Sequence, residues 1–70
     1  MNIQKATFPC GGFVLHKIPT PNGGVASAWY DAAGRLLDVG ARDKTGRPCG
    51  TVKGGPAWNE CAKQGRIYRA

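Results

Sequence analysis

"WYDAAGRLLDVGARDKTGRPCG", residues 29–50, states nearly the same phrase twice. Asp31-Ala-Ala-Gly-Arg35 is echoed by Asp43-Lys-Thr-Gly-Arg47, twelve residues on. Aspartate at the first of four positions and glycine at the last is the composition of a type I β-turn. A positive φ at that glycine adds a G1 bulge and joins two strands in a hairpin. The aspartate side chain reinforces such a turn by accepting from N–H groups two residues on. The phrases therefore predict hairpins linking a strand at 25–30 to one at 35–42, and that strand to one at 47–53. Successive hairpins leave a strand by opposite ends, so the two turns cannot form one shared site. The repeat encodes a meander.

On the N-terminal side, Phe13-Val-Leu-His-Lys-Ile18 is rich in strand formers and stops at Pro19, which cannot donate to a ladder. Asn22-Gly23 is a turn signal before the strand at 25–30. Trp29 and Tyr30 are adjacent there, so their rings face opposite sides of the sheet. Within 35–42 the better core face is Arg35, Leu37, Val39 and Ala41, against Leu36, Asp38, Gly40 and Arg42, with Gly40 marking a bulge or bend. On the C-terminal side, Gly54-Gly55-Pro56 ends the sheet, and Pro56 suits the first position of a helix. Trp58, Cys61 and Ala62 form a one-face stripe over 57–64, with Gly65 as the C′ stop. Ile67 and Tyr68 read as a closing strand. The expected class is α+β, mainly β: a small antiparallel meander or partly open barrel with one short C-terminal helix. It resembles the SH3-like and OB-like barrels in outline. Tyr30-Asp-Ala-Ala-Gly-Arg-Leu36 also resembles the YD-repeat unit of large secreted shell-forming toxins. Those repeats come in many longer-spaced copies, so the shared feature is the hairpin turn.

Seventy residues make one domain, 1–70. A chain of that size buries only about 60% of its unfolded surface, so a homodimer or a bound partner would add to a thin core. The net charge is +6, and from Arg42 onward seven bases stand against two acids. Such a surface attracts anionic partners, either nucleic acid or an acidic host-protein surface. The start, Met1-Asn-Ile-Gln-Lys-Ala-Thr7, has no apolar signal region, and no apolar run reaches the ~18 residues of a membrane span. Three cysteines, an odd number, suit reduced thiols in a cytoplasm.

Little in the chain points to catalysis. There is one histidine and no oxyanion-hole motif. Lys44-Thr45-Gly46 matches a serine β-lactamase triad, but Ser27 is the only serine, and Tyr30 stands where its lysine partner would be. No phosphate-cradling glycine motif occurs. Neither an enzyme nor a cofactor is expected. Cys10, His16, Cys49 and Cys61 would complete one Cys₃His zinc set, and Pro9-Cys10-Gly11 matches Pro48-Cys49-Gly50. Their gaps of 6, 33 and 12 positions supply no close ligand pair, which makes a zinc-stabilised module the weaker alternative.

The leading expectation is a non-enzymatic domain that contacts nucleic acid through a basic, aromatic-dotted sheet face. Stacking on exposed rings is worth ~1–3 kcal/mol per base while cations track phosphates. The candidate rings are Trp29, Tyr30 and Tyr68. The candidate cations are Arg35, Arg42, Lys44, Arg47, Lys53, Arg66 and Arg69. The alternative is a small phage- or plasmid-encoded regulator or inhibitor that docks its edge strands and loops on a host protein or defence complex.

Overall fold

Four hairpin turns of one build set the architecture. The protein, seen in a computed structural model describing residues 3–69, forms strands β1 (Gln4–Thr7), β2 (Phe13–Pro19), β3 (Val25–Tyr30), β4 (Leu36–Arg42) and β5 (Pro48–Cys49), then helix α1 (Pro56–Tyr68). The strands lie in chain order, each antiparallel to the next, in a sheet that does not close into a barrel. It is a mainly β, α+β meander.

Both Asp-x-x-Gly phrases make the expected turn. Gly34 N–H donates to the Asp31 carbonyl at 3.0 Å, and Asp31 N–H to the Arg35 carbonyl at 3.0 Å. The corresponding bonds at Asp43 are 3.0 and 2.9 Å. Asp31 accepts from the N–H groups of Ala33 and Arg35, and Asp43 from those of Thr45 and Arg47. The same pair of backbone bonds recurs at 8–12 and at 20–24. The fourth residues, Gly11, Gly23, Gly34 and Gly46, have φ of +93°, +86°, +83° and +88°, where a Cβ would be strained. At the first two turns Phe8 and Thr20 replace aspartate, while Pro9 and Pro21 set φ at the second position. The first positions, 8, 20, 31 and 43, are 12, 11 and 12 residues apart. The repeat is fourfold, and its first copy adds the edge strand β1, which the sequence expectation lacks. The turns alternate between the ends of the sheet. A Cβ on Gly11 would lie 3.2 Å from that of Ala32, and one on Gly23 would lie 3.9 Å from that of Lys44.

Three expectations are corrected. The last strand covers Pro48–Cys49 instead of 47–53, because the chain leaves the sheet for a turn closed by Gly55 N–H on the Val52 carbonyl. The helix begins at Pro56 but passes through Gly65 to Tyr68, so Gly65 is no C′ stop and residues 67–68 are helical. In β4, Leu37 is an extra residue between the pairs Tyr30↔Leu36 and Trp29↔Asp38. That bulge turns Leu36 toward the core and leaves Leu37 60% exposed, while Val39 and Ala41 keep their expected side.

The core lies between α1 and one face of the sheet. Phe13 and Tyr30 stack with ring centroids 4.7 Å apart, beside buried Leu15, Ile18, Ala26, Ala28 and Ala41. The Tyr30 hydroxyl donates to the Cys61 carbonyl of α1 at 2.6 Å. Burial, helped by Cys61, pushes this phenol well above its ordinary value. Gly65, one helical turn on, lies against the same ring. A Cβ there would come within 2.7 Å of Tyr30 Cδ2 and 2.8 Å of the Gly34 carbonyl oxygen. Lys5 ties the far edge in: its Nζ donates to the Tyr68 carbonyl at 2.7 Å and lies 4.8 Å from the Phe13 centroid.

Two outcomes follow from these contacts. Gly65→Ala gains about 1 kcal/mol of helix propensity, yet it forces a methyl into a tyrosine ring and a carbonyl. A net loss of about 1–3 kcal/mol is expected from overpacking. Urea unfolding with unchanged or raised stability would overturn that contact. For Asp43, the Thr45 hydroxyl first and the Arg47 N–H next hold the carboxyl below its ordinary value of 3.8. A depressed folded pKa adds stability that is complete above the unfolded value and is lost as pH falls through the folded one. Melting temperature should therefore fall less steeply below about pH 4 for Asp43→Ala than for the wild type. Parallel acid limbs in the two proteins would refute the assignment.

Candidate functional site

α1 covers one face of the sheet and leaves the other open. The strand pairing sets Gln4 beside His16, Trp29 beside Asp38, Ser27 beside Gly40 and Arg42 beside Pro48 on this open face. Trp29 is 37% exposed, and its ring lies over Gly40, where a Cβ would touch Cζ3 and Cη2 at 3.8 and 3.9 Å. The indole thus rests against the backbone at Gly40, at a distance that would put even a methyl group in ordinary contact with it. Its neighbour Tyr30 points into the core, so the opposite-face expectation for this pair holds.

β2 breaks its regular pairing at the middle of the open face. Between Leu15↔Ala28 and Ile18↔Ala26, two residues, His16 and Lys17, stand opposite Ser27. A bulge of this kind re-aims a side chain, so two successive residues serve one face where a regular strand alternates. Lys17 carries the cost, with φ at +63°, a conformation worth about 1–2 kcal/mol of strain for a residue with a Cβ. His16 Nδ1 and Ser27 Oγ share a hydrogen bond of 2.9 Å, its direction set by the imidazole tautomer. They are the only histidine and the only serine in the chain.

These side chains border two adjoining hollows. One, of about 360 Å³, is lined by Gln4, His16, Lys17, Val25, Ser27 and Arg42 around Gly40. The other, of about 260 Å³, is lined by Trp29 and Pro48 and shares Ser27, Gly40 and Arg42 with the first. Neither is lined by a carboxylate. Arg42 is held in place by one of its five N–H donors, Nη1 to the Gly46 carbonyl at 2.9 Å. A third hollow, of about 200 Å³ beside the start of α1, has no charged side chain in its wall.

One acid, Asp38, stands on the open face beside Trp29 but lines neither hollow, and the other three lie elsewhere. Asp31 and Asp43 hold turn N–H groups, Asp38 accepts from Val39 N–H, and Glu60 accepts from the Gln64 side-chain amide. None of these donors is a cationic side chain. The excess of positive charge is thus left facing solvent.

The structure divides the sequence-derived candidates. Trp29 and Arg42 meet at the hollows. Tyr30 is buried on the helix side, and Tyr68 packs against the core from α1. Arg35 follows the third turn, Lys44 and Arg47 belong to the fourth, and Lys53 lies 5.9 Å from the Trp58 ring. Arg66 is in the last turn of α1 and Arg69 caps it. The expected single face of rings and bases is therefore smaller, and it includes Gln4, Lys17 and Ser27, which the sequence did not assign to any site, and His16, which it offered only as a zinc ligand. No turn residue or spacing announces the bulge that gathers them. The possible zinc quartet is not assembled. His16 is on the open face, Cys61 is buried on the helix side and Cys10 is in the first turn; no group of three or more metal-binding side chains forms among the described residues.

No protein-family model matches this chain, and neither the curated proteins nor the solved structures include a significant match to it.

The three thiols should differ in reactivity. Burial pushes Cys61 up to about 11, while Cys10 is exposed and Cys49 half-buried. Labelling of the native protein, followed by mass spectrometry, is expected to modify Cys10 first and Cys61 last. Early modification of Cys61 would contradict the packing of α1.

Proposed function

We propose that the open sheet face binds single-stranded nucleic acid and that the protein acts by binding, without catalysis. One observation carries this reading: the part-exposed Trp29 ring lies against Gly40, beside a hollow lined by Lys17 and Arg42 and by no carboxylate. An unstacked base has a ring-sized face to place on the indole, and its neighbouring phosphate meets the cations. A duplex keeps its bases stacked and offers no such partner to a ring resting against a sheet. Arg35, Lys44, Arg47, Lys53, Arg66 and Arg69 then act as a diffuse positive field that speeds encounter. Among the described residues no helix is long and apolar enough to cross a membrane. The three free thiols agree with a cytoplasmic setting.

A second reading rests on β1. Its four residues are all exposed, and it pairs only with β2, so its outer edge is open to a strand from another protein. A phage- or plasmid-encoded inhibitor docking on an acidic host surface would use that edge.

Titration with short fluorescent oligonucleotides separates the two readings. Nucleic-acid binding predicts affinity that falls steadily with salt, with a log–log slope of about −0.7 per phosphate contacted. Trp29→Ala is expected to weaken binding by ~1–3 kcal/mol through lost stacking. Flat titrations at low salt, together with a host protein retained from nuclease-treated lysate, would select the inhibitor reading instead.

A further inference from the structure

We propose that the hollow around His16 and Lys17 is a phosphate-monoester site, which takes the phosphorylated end of the strand whose base stacks on Trp29. The proposal rests on the nucleic-acid reading of the open face and adds to it a preference for strand ends.

The bulge is the first support. It brings Lys17 next to His16 in one hollow, against the alternation of a strand, and accepts a left-handed lysine to do so. Strain of this kind persists where the surroundings over-determine it, and it clusters at functional sites. Charge is the second support. A phosphodiester carries one negative charge, whereas a terminal phosphate near neutral pH carries close to two and has three strong acceptor oxygens. The hollow is lined by two cations, Lys17 and Arg42, with the Gln4 amide, the His16 imidazole and the Ser27 hydroxyl as further polar groups. That set matches a dianion better than a monoanion. Position is the third. The hollow shares Ser27, Gly40 and Arg42 with the Trp29 hollow, so a base and its own phosphate can occupy both at once.

The test compares one short oligonucleotide in three forms, with a 5′-phosphate, with a 3′-phosphate and with hydroxyl ends, by fluorescence anisotropy on the full chain. One phosphorylated form is expected to bind roughly ten-fold tighter than the hydroxyl form, the scale of one added charge-assisted contact. In the Lys17→Gly variant the three forms should bind alike, all weakened by the loss of one cation, so that the phosphate advantage itself disappears. Glycine adopts the positive φ of this position freely, so the fold is not at risk. Trp29→Ala should weaken all three forms alike. Equal binding of the three by the wild type would overturn the phosphate site and leave the nucleic-acid reading standing. If no oligonucleotide binds, inorganic phosphate is titrated while the His16 ring protons are followed by NMR. Saturable shifts that Lys17→Gly removes would keep the phosphate site without nucleic acid, and their absence would end it.

Discussion

The contact between Tyr30 and α1 is the constraint on which the rest of the structure depends. One ring stacks on Phe13, sends its hydroxyl to the Cys61 carbonyl and leaves no room for a side chain at Gly65. The sheet beneath is lined by small residues, Ala26, Ala28 and Ala41, so the helix can settle close without large side chains to hold it off. With so few bulky residues, a close approach is how a chain this short excludes water from its core. The same contact commits the single helix to one face. The other face is therefore free to display an indole, an imidazole and two cations.

How much of this is legible in the sequence depends on how local the cause is. The turns at 31–34 and 43–46 follow from Asp and Gly at the first and fourth of four positions, and so do β3, β4 and the meander itself. The turns at 8–11 and 20–23 have the same backbone bonds, but Phe8 and Thr20 hide the likeness, and β1 goes unseen with them. Gly65 shows the opposite failure. Local rules make a glycine after an apolar stripe a helix stop, whereas here a ring 35 positions earlier in the chain dictates it. Leu37 is similar: only the pairing of β3 with β4 shows that it is an extra residue, and that pairing exchanges the roles of Leu36 and Leu37.

The open face mixes legible and illegible parts in the same way. Trp29 is exposed because Tyr30 must face inward, which strand alternation alone requires. Arg42 shares its face because the registers of β3 and β4 carry it there, and Gly40 has its place beneath the indole for the same reason. The grouping of His16, Lys17 and Ser27 needs the bulge in β2, which no glycine or proline marks. The positive field has a plainer origin: ten lysines and arginines stand against four acids, two of which are placed by the turns they build.

The chain-order meander also has a kinetic consequence. Each strand pairs with its immediate predecessor through a short turn, so the whole sheet is closed by small loops whose entropic cost is low. The joining of distant segments is left to the helix, whose bonds span 31 positions at Tyr30–Cys61 and 63 at Lys5–Tyr68. Topologies dominated by neighbouring contacts cross their folding barrier fast. The sheet is thus the quick, local part of folding, and the last thirteen helical residues convert it into a closed core by sealing one face.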